Sequence, residues 1–87
     1  MKYYVYLLIS KHKDKIISYV GYTSNLEKRL ILHNTSKGAR FTKGRKWTLV
    51  YKKCYKTKSS AMKNEYILKK NYKKRLIIKR NYLKLVE

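Results

Sequence analysis

The sequence predicts an α+β domain: a small three-stranded antiparallel sheet flanked by helices, in the order ββαβαα. Three observations predict it. Two short runs rich in aromatic and branched residues open the chain, separated by a polar interruption of turn-like length. A capped segment of helical period and a basic stretch then lead to a third strand-like run. Beyond it, apolar residues recur at helical spacing to the end, and no Pro interrupts them. With 87 residues there is room for one domain and one modest core. An apolar fraction of 44%, with ten Tyr spread along the chain, excludes a disordered basic tail.

Each element has a local reason. Tyr3-Tyr4-Val5-Tyr6-Leu7-Leu8-Ile9 reads as a strand buried on both faces. Lys11 to Lys15 is a turn, with His12 as a solvated residue at its tip, and Ile16 to Tyr22 returns as the second strand of a hairpin. Thr23, Ser24 or Asn25 caps a helix from Leu26 to about Asn34, and Glu27 suits the positive end of its dipole. From Lys37 to Lys46 the chain is a basic loop in which Gly38 and Gly44 supply flexibility. Trp47 to Tyr51 is the third strand, extendable to Tyr55. Ser59 or Ser60 caps a second helix through about Lys70. A third, over Arg75 to Val86, packs back through Leu76, Ile77, Leu83 and Val86. Cys54 has no partner for an intrachain disulfide and reads as a small buried hydrophobe in a reducing, intracellular compartment.

Charge selects the partner. Twenty-four Lys and Arg against four acids leave a net charge of +20, which seeks a polyanion. Nucleic acid is the expected one, because basic groups that neutralise phosphates release condensed counterions. No apolar run approaches the roughly 18 residues of a spanning helix, and the start Met-Lys-Tyr-Tyr fits neither myristoylation nor secretion, so no membrane role is expected. Nineteen Lys to five Arg suit diffuse phosphate attraction better than bidentate base reading.

A few polar residues fall on inward faces. At about 100° per residue, Leu26 and Leu30 share a stripe, and His33 and Arg29 lie about 20° and 60° to one side of Leu26. In the second helix Ala61, Leu68 and Tyr72 align, and Glu65 falls among them, about 40° from Ala61. A buried carboxylate is costly unless something charged pairs with it. Two readings follow: Glu65 holds a cation, or it forms a salt bridge to one of the many Lys and Arg residues.

Together these residues resemble the GIY-YIG nuclease superfamily, in particular its small single-domain members and the nuclease domain of structure-specific endonucleases. The resemblance rests on Tyr4-Val5-Tyr6 and Tyr19-Val20-Gly21 on the hairpin strands. It continues through Leu26, Arg29 and His33, Lys37 to Thr42, Trp47 to Tyr51, and Ser60 to Glu65. It spans residues 3–70 of a single domain over 1–87, leaving a basic C-terminal helix at 73–87.

By that resemblance Tyr6 orients the second tripeptide, and Tyr19 activates the attacking water. Arg29 steadies the scissile phosphate, His33 hydrogen-bonds around the reacting water, and Glu65 binds one Mg²⁺ or Mn²⁺. Such a one-metal site cuts DNA, with no small-molecule cofactor beyond the metal, and a homodimer or protein partner is left open. A free tyrosine ionises near about pH 10, so a base of that kind predicts activity rising with alkalinity. DNA would lie along Lys37, Arg40, Lys43, Arg45 and Lys46, with Phe41 or Trp47 as a stacking surface and a core role favoured for Trp47. Lys73, Lys74, Arg75, Lys79 and Arg80 form a solvated basic face. Tyr4 stands where the family name has Gly, Tyr22 where some relatives have Lys, and Asn71 is a poorly spaced match for a downstream Asn. The competing expectations are a non-catalytic DNA- or RNA-binding module of the same fold and a basic RNA-binding structural protein.

Overall fold

Residues Tyr3–His12 form strand β1, the centre of the sheet, with β2 (Lys15–Thr23) on one side and β3 (Thr48–Tyr55) on the other. The computed structural model describes residues 1–86; the side chains of His12 and Val86, and Glu87 entirely, lie outside the described residues, and so do the expectations made for them. Helix α1 (Leu26–Asn34) follows β2, a short 3-10 turn covers Arg40–Thr42, and α2 (Lys58–Lys70) and α3 (Tyr72–Val86) complete the order ββαβαα.

Both pairings of β1 are antiparallel. Tyr6 stands opposite Gly21 on β2 and Lys52 on β3, and an irregularity between Leu7 and Leu8 leaves Val50 as the extra residue of β3. The alternation of a strand sends Val5 and Leu7 to one face and Tyr6 and Leu8 to the other. Two cores result. Val5, Leu7, Val20, Ala61 and Leu68 pack between the sheet and α2, while Tyr6, Leu8 and Trp47 pack on the opposite face with Leu26, Leu30, Ile17 and Tyr19. The unbroken apolar run of the first strand is thus explained: its middle is covered on both sides.

The structure moves several boundaries. The hairpin turn is only Lys13-Asp14, with Lys13 at φ 55, so the flanking strands are longer than the polar pattern implied. Asn25, of the three candidates, caps α1 by accepting from the Lys28 N–H. Thr57 rather than Ser59 or Ser60 caps α2, accepting from the Ser60 N–H. α3 begins at Tyr72, one residue after Asn71, whose side chain accepts from the Lys74 N–H. This break in the helical phase carries Tyr72 off the Ala61–Leu68 face and leaves it exposed, and it puts Ile78 rather than Ile77 against the core.

Cys54 is exposed, against the expectation of burial. It pairs with Tyr4 near the end of edge strand β3, where the second core cluster does not extend. Arg75 departs from a purely solvated face: it reaches across to Ser18 on β2, and its Nε is buried without a hydrogen-bond partner. Among the described residues no helix is long and apolar enough to cross a membrane.

Candidate active site

Gly21 is where the site begins. The phenol of Tyr6 crosses over β2 at this residue, and a Cβ there would collide with the Tyr6 hydroxyl and come within 2.6 Å of Cζ and 3.1 Å of the Tyr19 ring. Only a bare backbone admits the close approach. Tyr6 is thereby driven deep into the second core, with 1% of its surface exposed.

Its hydroxyl meets the imidazole of His33, which is fully buried on α1. The Tyr6 oxygen is 2.7 Å from Nε2, and His33 Nδ1 is 2.8 Å from Thr42 Oγ1. The Thr42 hydroxyl in turn donates to the Ala39 carbonyl at 2.8 Å. A hydroxyl carries one proton, so Thr42 accepts from His33 Nδ1–H. Nε2 is then bare, and Tyr6 O–H donates to it. The polarity of the whole chain is fixed by one backbone carbonyl. Sequence reasoning placed His33 at the border of the buried stripe; the structure buries it completely.

Thr42 was not singled out by sequence reasoning, and a lone Thr in a basic loop offers no signal. Its burial requires that the loop be built rather than free. Trp47 Nε1–H donates to the Thr42 carbonyl at 2.8 Å, and the Asn34 side chain accepts from Trp47 N–H at 2.6 Å and donates to its carbonyl at 3.1 Å. Gly44 N–H donates to Ser36 Oγ at 2.9 Å. Gly38, expected to supply flexibility, instead allows close packing: a Cβ there would lie 3.0 Å from the His33 Cα. Gly44, at φ +77 with open space around it, supplies the left-handed turn of the loop.

Tyr19 is half-buried beside this chain, with its ring centroid 5.0 Å from the His33 ring and 6.4 Å from that of Tyr6. Phe41 stacks on Tyr19 at 6.2 Å and 20° and remains 56% exposed, while Trp47 lies edge-on to Tyr19 in the core. Arg29 is half-buried on α1, one turn before His33.

The electrostatics follow from burial and from these neighbours. Burial pushes the Tyr6 hydroxyl up to about 12; the Arg29 guanidinium beside it opposes that rise, and the charges of Tyr19 and Glu65 add to it. Arg29 is held more firmly cationic, first by hydrogen bonding to Tyr6 and also by Tyr19, with burial acting against them. Burial, and secondarily the Arg29 charge, depress His33 below the usual imidazole range, so it is neutral at pH 7.

Glu65 stands on α2, which packs on the sheet face opposite the Tyr6–His33 pair, and its charge is the smallest of the contributions that raise Tyr6. Its side chain is 18% exposed, and Lys69 Nζ lies 3.2 Å from its Oε1, one turn along the same helix. The salt bridge envisaged as the alternative to a cation is formed. Lys69 is itself 54% exposed, so this is a surface i,i+4 pair worth about 0.3–0.5 kcal/mol, readily given up. Lys37, Arg40, Lys43, Arg45 and Lys46 are all exposed along the loop that closes over His33. Asn71 is exposed and taken up by helix capping.

The family model described as the GIY-YIG catalytic domain matches residues 2–81. A UPF0213 protein of Staphylococcus haemolyticus is 46% identical over 69 residues, covering 78% of this chain and 80% of that protein. One from Oceanobacillus iheyensis is 45% identical over 69 residues, covering 78% and 77%. The solution NMR structure of a UPF0213 protein from Bacillus halodurans is 36% identical, covers 88% of this chain and 83% of its own, and has a TM-score of 0.46. With nearly its whole length matched by that model, the chain belongs to the GIY-YIG catalytic domain family.

Proposed function

We propose that this protein is a divalent-metal-dependent endonuclease that hydrolyses phosphodiester bonds of DNA by a one-metal mechanism, with branched and damaged DNA as the substrates to test first. The observation that carries this reading is the polarised chain Tyr6–His33–Thr42, beside which Tyr19 and Arg29 stand.

In this reading Tyr19 takes the proton from a water that attacks phosphorus in line, the bond to the 3′-oxygen breaks, and that oxygen takes up a proton from solvent. Products carry 5′-phosphate and 3′-hydroxyl ends. Tyr6 keeps its own proton, committed to His33, and serves as the ring that positions Tyr19. Arg29, firmly cationic, steadies charge on the phosphate, and its loss is expected to cost on the order of 10²-fold in rate. His33, neutral, anchors the arrangement from below.

The residues present fit Mg²⁺ or Mn²⁺. Among the described residues no three of His, Cys, Asp and Glu cluster, so a closed all-protein cage of the zinc type is not formed. Mg²⁺ takes one or two carboxylates beside substrate phosphate, for which Glu65 suffices. Such an ion, when bound, stabilises charge on the phosphate and the leaving oxygen. Lys37, Arg40, Lys43, Arg45 and Lys46 hold the DNA backbone, and binding weakens steeply with salt. A role in DNA repair or recombination would follow from a preference for branched or damaged DNA, and cutting both strands requires two copies or sequential nicks.

The test is a cleavage assay on linear and branched DNAs with Mg²⁺ and with Mn²⁺, run beside Glu65→Ala. Nicking that needs the metal and is lost in the variant is expected. The Lys69 ion pair favours one rival, a non-catalytic binding module of the same fold. Tight binding without cutting in either metal would establish that rival.

A further inference from the structure

Two rungs beyond Tyr6 on the same face of β1, Ser10 lies at the mouth of a second feature. It pairs with Ile17, which packs in the Tyr6–Leu8–Trp47 cluster, so the active-site face of the sheet continues to this point. Between the end of β1 and the basic loop is a cleft of about 490 Å³ lined by Ser10, Lys11, Lys43, Gly44, Arg45 and Lys46. Four of the six are cations, and no acid lines the cleft among the described residues.

We infer that this cleft is a seat for a second backbone phosphate of the nucleic-acid strand, a few nucleotides from the one that reacts. The inference rests on the proposed nuclease reading and extends it to Ser10 and Lys11.

Two observations separate a built seat from a patch of surface charge. Ser10 is 5% exposed, a polar side chain in the strand's buried run, and it forms part of the cleft wall. A serine hydroxyl in the wall of a cationic cleft is a neutral donor for an anionic oxygen seated among those charges. Gly44 is the second. Its positive φ turns the loop so that Lys43 and Arg45 flank a bare backbone, and nothing stands within 4 Å of where a Cβ would be. The loop is fixed rather than free at that residue, because Gly44 N–H is bonded to Ser36 Oγ. At about 3.3 Å per residue, Ser10 stands roughly 13 Å along β1 from Tyr6. That is the reach of a few nucleotides, given about 3.4 Å of helix rise per phosphate on each strand.

The seat is tested by titrating a fluorescein-labelled DNA duplex with the full chain, without divalent metal, over a range of salt. Ser10→Ala, which changes no charge, is expected to weaken binding several-fold with the salt slope unchanged. Lys11→Gln is expected to lower that slope by about one. Ser10→Asp, which puts a negative charge into the seat, is expected to weaken binding tenfold or more. Circular dichroism and thermal unfolding of each variant establish that the fold persists. Wild-type affinity in Ser10→Ala and in Ser10→Asp would overturn the inference, leaving only diffuse charge. Wild-type binding to inorganic phosphate alone, with no effect on DNA affinity, would overturn it as well. Since this titration needs no cleavage, failure of the nuclease reading is separately visible as binding without cutting. In a cleaving preparation, a neutral methylphosphonate that slows wild type at one fixed offset from the cut, and has no such effect on Ser10→Ala, locates the seat.

Discussion

The Tyr6 hydroxyl donates to His33 Nε2 across 2.7 Å in the interior of the domain, joining the central strand to the first helix. A tyrosine and a histidine so placed satisfy one another's polar atoms in the interior. Tyr6 needs an acceptor and His33 needs its bare nitrogen satisfied, and the Thr42–Ala39 bond behind them fixes which way the protons run.

Tyr6→Phe keeps the ring and removes the donor, stranding the buried Nε2. A loss of about 1–3 kcal/mol is expected in urea unfolding, the usual cost of a buried unsatisfied group. The variant also has a characteristic pH signature. The folded Tyr6 hydroxyl is raised to about 12 from an ordinary 10, so the unfolded chain loses this proton first. Stability from Tyr6 is therefore full below about pH 10 and is lost as pH rises toward 12. The gap in stability between wild type and Tyr6→Phe is expected to narrow across that window. A gap constant from neutral to strongly alkaline pH would refute the assignment.

His33 predicts the opposite limb. Its folded pKa is depressed, so the unfolded chain takes up a proton first as pH falls through the ordinary imidazole range near about 6.5. Protonation also destroys the acceptor that Tyr6 uses. The unfolding temperature is expected to fall on acidification from pH 7 to 5, and His33→Gln is expected to lack most of that dependence. Equal slopes in the two proteins, measured by calorimetry, would count against a buried neutral imidazole.

Thr42→Val conserves volume while removing the acceptor of His33 Nδ1–H. About 1–3 kcal/mol of destabilisation is expected. More diagnostic is the imidazole nitrogen spectrum by NMR. Wild type should show Nδ1 protonated and Nε2 bare, and the variant a mixture of the two tautomers. A wild-type spectrum dominated by the Nε2–H form would reverse the polarity assigned to the chain.

Gly21→Ala forces a Cβ into the Tyr6 phenol. Overpacking of this kind costs about 1–3 kcal/mol, and the displaced ring no longer positions Tyr19. Loss of cleavage is expected, and the double variant Gly21→Ala/Tyr6→Phe should recover some of the stability lost by Gly21→Ala, since the hydroxyl makes the closest contact. No recovery would place the strain elsewhere.

Lys69→Ala separates the ion pair from the metal role of Glu65. Stability is expected to change by no more than about 0.5 kcal/mol. Cleavage should be retained, with half-saturation at equal or lower Mg²⁺. A large fall in activity would show that Lys69, rather than freeing a carboxylate, is needed beside it.

Much of this was legible from local pattern. The short aromatic and branched runs of the opening strands, the caps around Asn25 and the helical phase of Leu26, Leu30 and His33 depend on residues near one another in sequence, where side-chain chemistry and backbone geometry suffice. So the three strands, three helices, the inward Arg29 and His33 and the position of Glu65 could be read directly. The basic charge announced a polyanion without any fold. Cys54, Tyr72 and Gly38 were misread because their environments depend on how far a neighbouring element extends, where a helix breaks phase, or which distant side chain lies beneath a loop. Thr42 and Ser10 carried no signal at all. Their meaning comes from contacts that only chain folding creates: one places a hydroxyl behind His33, the other sets a serine in a cleft wall among four cations. A hydrogen bond is decided within about 3 Å, and no sequence pattern resolves that distance between residues 9 or 27 positions apart.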